Sequence, residues 1–144
     1  MPFSVIFHDQ RNLLESSVRG VLSAPDVAEW EAALVRATAE LAPTAEFRVL
    51  DDWVDYEVAD QDLRVHKLMR EVTPRFLASH GFAVGFWRLY DATPPAPSRV
   101  GRCTHVAHVH HDADKMSRYN ELLASPHERF FTDREAARRW LGAT

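Results

Sequence analysis

Residues 99–123, RVGRCTHVAHVHHDADKMSRYNELL, constrain the fold more than any other stretch of the chain. Val100 to His110 reads as a strand, Asp112 and Asp114 as caps, and the residues up to about Leu123 as a helix. Where the pattern repeats, the strands are parallel and joined by right-handed crossovers. The same unit holds four of the eight histidines, His105, His108, His110 and His111. The rest of the chain is therefore read as the scaffold around it.

Phe3–His8 (FSVIFH) is rich in β-branched and aromatic residues and reads as a strand. Asp9 to Asn12 supplies turn chemistry, and Leu13–Leu22 pairs back as a second, antiparallel strand. Ser23, Pro25 and Asp26 open an amphipathic helix over 25–41, stopped by Pro43. Phe47–Trp53 is a third strand, with Phe47, Val49 and Leu50 buried and Asp51 and Asp52 at its carboxyl end. A second helix starts at Asp60, carries an apolar stripe through Leu68, Met69 and Val72, and is kinked or ended by Pro74. Residues 75–90 read as a helical segment and 91–98 (DATPPAPS) as a Pro-rich loop, so that 75–98 looks like an insertion. Arg129–Thr132 is a last short strand. Asp133 caps a final helix over Arg134–Leu141, with Gly142 as its C-cap. The order β-β-α-β-α-(α)-β-α-β-α predicts an α/β fold, a single domain over 1–144 with a mixed sheet of about five strands flanked by helices.

Composition limits the function classes. With 46% hydrophobic residues and 15 of the 144 being Phe, Trp or Tyr, the chain can bury a core without a disulfide or metal staple. Its single cysteine, Cys103, excludes an intramolecular disulfide and fits a reducing compartment. The net charge is -4, with acidic and basic residues mixed and the basic cluster confined to Arg134, Arg138 and Arg139. That pattern argues against a nucleic-acid partner. The N-terminus lacks the basic and apolar regions of a signal peptide, and no window approaches the roughly 20 apolar residues of a membrane span. A cytoplasmic location and no membrane span are expected.

Three segments, FRVLDDW followed by a helix, THVAHVHHDADKMSRYNELL, and FFTDREAARRWLG, resemble the STAS-like family, in particular its SpoIIAA-like bacterial members. The resemblance covers most of residues 1–70 and 99–142. It implies a small α/β regulatory or ligand-sensing module that is not a catalyst. The best-known members of the family antagonise anti-sigma factors through a phosphorylatable serine at the start of the helix after the third strand. The matching region, 54–62, has no Ser or Thr, and none occurs between Thr44 and Thr73. A serine phospho-switch is thus not expected. Asp60 and Asp62 could mimic a phosphorylated residue, but helix capping explains them equally well.

Two constellations carry candidate chemistry. Side chains alternate along a strand, so His108 and His110 share one face with Val106, and His105 and His111 share the other with Ala107 and Val109. His108, His110 and Asp112 form a candidate metal set at a strand end, where open α/β sheets bind ligands. Against it, no ligand spacing of a known zinc site is present, and strand histidines usually serve as hydrogen-bonded scaffold. Asp51 and Asp52 beside His110 offer an acid–base arrangement. Cys103 reads as a buried small hydrophobe. The second constellation is aromatic: Phe82, Phe86, Trp87 and Tyr90 either cover core or form a lid or partner surface.

The leading expectation is a non-enzymatic module that binds another protein or a small apolar ligand through Phe82, Phe86, Trp87, Tyr90, Asp51 and Asp52. It has no catalytic residues and no cofactor, and a homodimer is a reasonable assembly. The rival is a metal-dependent or acid–base enzyme built on the His105–Asp114 strand end, with His108, His110, Asp112 and Asp51 converging on one point.

Overall fold

The computed structural model describes residues 1–58 and 63–144. Five strands, β1 (Phe3–His8), β2 (Leu13–Gly20), β3 (Glu46–Tyr56), β4 (Arg102–Val109) and β5 (Glu128–Phe131), form one sheet in sequential order. The helices are α1 (Ala24–Thr38), α2 (Leu63–Ser79), α3 (Gly85–Leu89), α4 (Ala113–Leu123) and α5 (Arg134–Gly142). The β1–β2 pair is antiparallel, and β2–β3, β3–β4 and β4–β5 are parallel. The sheet is therefore mixed, with five strands, as the sequence predicts.

The layering follows from handedness. Each parallel connection steps to the next strand in the same direction, so right-handed crossovers put α1, α2 and α4 on one face. On that face Phe47, Val49 and Val106 pack with Trp30 and Leu34 of α1 and Met69, Val72 and Leu77 of α2. The other face is covered by α5, whose Ala137 and Leu141 close over Leu13, Leu50, Ala107 and Val109. Alternation along β3 assigns Phe47, Val49, Asp51 and Trp53 to the first face and Leu50, Asp52 and Val54 to the second.

Local signals explain most ends. Ser23 caps α1 with a reciprocal capping box to Asp26, and Asp112 and Asp133 cap α4 and α5. Other boundaries differ from the sequence reading. β2 stops at Gly20, two residues before Leu22. α1 ends at Thr38, short of Leu41 and Pro43, where the Thr38 hydroxyl bonds back to the Leu34 carbonyl. β3 runs on to Tyr56, so Asp51 and Asp52 lie inside the strand and are 5% and 4% exposed. Gly142 is the last residue of α5, and the C-cap is Ala143. Asp60 and Asp62 lie outside the described residues.

Residues 75–79 and 85–89 are helical, within the segment 75–90 read as helix from the sequence; the correction here concerns Pro74. Pro74 neither ends nor replaces α2, which continues to Ser79, because Thr73, Pro74, Phe76, Leu77 and Ala78 are all buried there. Packing on this scale outweighs the one hydrogen bond a proline removes. Gly81, at φ +78, then turns the chain out of the helix. His80 is 2% exposed: its Nδ1 donates to the Gly101 carbonyl (3.0 Å), and its Nε2 lies 3.3 Å from the Thr38 hydroxyl. Burial lowers its pKa, which keeps it a neutral tie between α1, the end of α2 and the entry to β4.

Gly85 starts α3 against α4. A Cβ there would sit 2.9 Å from Leu123 Cβ, a contact that only a shift of α3 or α4 relieves. Gly85→Ala should therefore cost about 1–3 kcal/mol, read as a lower urea midpoint at unchanged slope. A midpoint equal to that of the parent chain would show that α3 is not held at this distance.

Candidate ligand pocket

The register places three side chains of the first face in reach of one another. Asp51 of β3 lies opposite His108 of β4, which in turn lies opposite Phe130 of β5. Glu128 is two residues before Phe130, so alternation points it to the same face and diagonally at His108. His108 Nδ1 is 2.9 Å from Asp51 Oδ2, and its Nε2 is 2.8 Å from Glu128 Oε2. A carboxylate only accepts, so two carboxylates on the two ring nitrogens require two N–H donors, an imidazolium.

The remaining oxygens are engaged too. Asp51 Oδ1 accepts from the Trp53 indole (2.8 Å) and the Thr73 hydroxyl (3.3 Å), and Glu128 Oε1 accepts from the Gly85 backbone N–H (2.9 Å). The imidazole stacks on Phe130 at 4.8 Å and 16°. Burial opposes the charge on His108, but the bonds to Asp51 and Glu128 and the charges of both outweigh it and hold the pKa up at about 10.

This trio floors a pocket of about 150 Å³ beneath α2, α3 and α4. Trp53, Val84, Phe86, Met116, Leu123 and Phe130 are its apolar lining, and Arg70, Leu89, Tyr90, Lys115 and Tyr119 form its outer rim. Arg70 donates to the Tyr90 hydroxyl (2.9 Å), and the Lys115 ammonium lies 5.7 Å from the centre of the Tyr119 ring. Burial lowers the Lys115 pKa, opposed by Asp112 and reinforced by Arg70 and Arg118.

Of the residues singled out from sequence, Asp51, His108, His110, Phe86 and Tyr90 meet at this pocket. The others do not. Asp52 faces α5, where it pairs with Arg134 and accepts from the Val54 N–H (3.0 Å). Asp51 and Asp52 thus act on opposite faces, since neighbours on a strand always do. Both are buried inside β3 and not at its carboxyl end, where the sequence reading placed them. Phe82 and Trp87 pack against the main core, and the Trp87 indole N–H is buried without a partner among the described residues.

Asp112 is spent on the α4 cap, accepting from Lys115 N at 3.0 Å. His110 Nδ1 accepts from the Asp112 N–H (3.1 Å), and its ring stacks on His111. Burial, with the charges of Lys115 and His111, takes the His110 pKa down to about 4. His108, His110 and Asp112 therefore have separate partners. Among the described residues no three His, Cys, Asp or Glu side chains are gathered to hold a metal ion. Cys103 is buried, and burial raises its thiol pKa. No helix among the described residues is long and apolar enough to cross a membrane.

Glu128, Thr73, Arg70 and Lys115 were not picked out from sequence. Glu128 carried a readable signal: Glu128 and Phe130 on one face with Arg129 outward is a period-2 pattern, one residue ahead of the predicted strand start.

His108→Leu should cost about 3–5 kcal/mol near neutral pH, because it leaves two buried carboxylates without their shared cation. The pH dependence follows from the raised pKa. The unfolded imidazole releases its proton near 6.5 and the folded one near 10. The stabilisation is complete below pH 6.5, declines between these values and is gone above 10. The His108 Cε1 proton resonance should stay at its protonated position through pH 8, and titration near 6.5 would contradict the imidazolium.

No known family profile matches the sequence, and no curated protein does. Among solved structures, the chain is similar to an uncharacterized protein of the DUF3478 family, with a SpoIIAA-like fold, from Shewanella loihica PV-4. The two share 15% identity at a TM-score of 0.53, over 96% of this chain and 91% of the other. The strand order, the mixed sheet and this likeness together give the chain a SpoIIAA-like fold.

Proposed function

We propose that the chain is a non-catalytic, small-ligand-binding regulatory module. The observation that carries this reading is the pocket itself. It is largely apolar, about 150 Å³ in volume and open at the rim, and the polar groups of its floor are already bonded to one another. An apolar cavity of that order holds a benzene-sized molecule. Pockets of this kind bind by shape and burial, with few polar groups setting orientation.

The acid–base alternative draws less support from the same geometry. A general base needs a free nitrogen within reach of a substrate proton, and both nitrogens of His108 face carboxylates. Leu68 of α2, Leu89 of α3 and the α3 C-cap Tyr90 are more than 40% exposed. They favour a second use of the region, contact with another protein when the pocket is filled or empty.

Titration of the protein with toluene, followed by amide chemical shifts, tests the pocket. Shifts should saturate and cluster on 84–90, 108–110, 116–123 and 128–130. Absence of saturable shifts there, at the solubility limit of toluene, would remove the ligand-binding reading.

A further inference from the structure

The rim differs from the floor in one respect that bears on what the pocket takes. Arg70 and Lys115 both stand at the opening, and neither forms an ion pair with a carboxylate among the described residues. The Arg70 guanidinium is held by the Tyr90 hydroxyl and lies 5.8 Å from the centre of that ring, and the Lys115 ammonium leans on Tyr119. Asp112 is the carboxylate that acts on Lys115, but one of its oxygens is taken by the Lys115 backbone N–H. Two cations oriented by aromatic rings, the exposed Arg70 and the partly desolvated Lys115, are thus presented over an apolar pocket.

The floor has the opposite sign. Two carboxylates, Asp51 and Glu128, face one imidazolium, His108. An anionic group would be repelled from the floor and attracted to the rim, whereas an apolar ring is compatible with the stacked His108–Phe130 surface. Charge and shape therefore agree on one orientation, ring inward and anion outward. The volume limits the ring to about one.

Resting on the reading of the pocket as a ligand site, we propose that its ligand is a small aromatic monocarboxylate, with the ring over His108 and Phe130 and the carboxylate between Arg70 and Lys115. Charge-assisted hydrogen bonds of this type exceed neutral ones by roughly twofold in strength, and the carboxylate should be preferred over a neutral isostere accordingly.

The test compares benzoate, benzyl alcohol and benzylamine by calorimetry and amide shifts on the full chain. Benzoate should bind about tenfold tighter than benzyl alcohol at low ionic strength, a difference of about 1.4 kcal/mol, and the gap should narrow at high salt. The Arg70→Gln/Lys115→Gln double variant should lose the preference for benzoate over benzyl alcohol. Equal affinity for benzoate and benzyl alcohol, or a preference for benzylamine, would overturn the proposal and leave the pocket as a ligand site. Binding of none of the three would overturn both.

Discussion

One proton joins three strands on the side of the sheet where the helices meet. Held on His108 between Asp51 and Glu128, it ties β3, β4 and β5 together and makes an otherwise untenable group of buried charges stable. Two carboxylates that are 5% and 4% exposed, on one face, would repel without it. The surrounding donors are placed to match: the Trp53 indole, the Thr73 hydroxyl and the Gly85 N–H each bond an oxygen that His108 does not reach. Those three come from a strand, a helix interior and a helix start, so the trio also fixes where α2 and α3 sit. The pocket is the space left when these elements are held by polar contacts at its base rather than by apolar closure.

This arrangement accounts for the unusual composition of the segment over the pocket. The two glycines of 75–90 weaken a helical reading, yet each has a structural task. Gly81 adopts a positive φ that ends α2, and Gly85 lets α3 approach Leu123 and deliver its N–H to Glu128. Phe86 of α3 and Tyr90 at its C-cap then reach the pocket together at a ring separation of 4.8 Å. A larger residue at 85 would displace the aromatic wall and the carboxylate at once.

The sequence made much of the fold legible because its signals were local. Caps at Ser23, Asp112 and Asp133, alternation in the strands and the breaks between them were enough for element order and class. It failed where long-range packing overrode a local rule, as at Pro74, which the buried stretch 73–78 carries through the helix. The site was half legible. Alternation places His108 on its face, and the same alternation separates Asp51 from Asp52, which an acid–base reading groups together. Glu128 went unnoticed since its partner is 20 residues away, and only the β4–β5 register brings them together. His80, the most deeply set histidine, was overlooked for the same reason: its partners lie in α1 and at the entry to β4.

The single-sided crossover pattern has a consequence for how the chain acquires its structure. Three helices are made between the strands they cover, so one face of the sheet is closed as each unit is synthesised. Among the described residues the other face, with Leu13, Leu50, Ala107 and Val109, is covered by α5 alone, and α5 follows β5 in the chain. During translation that face stays open to water, and to other nascent chains, until the helix after the last strand emerges. Arg48, reaching from β3 to the carbonyls of Leu141 and Arg11, is placed to latch α5 once it arrives.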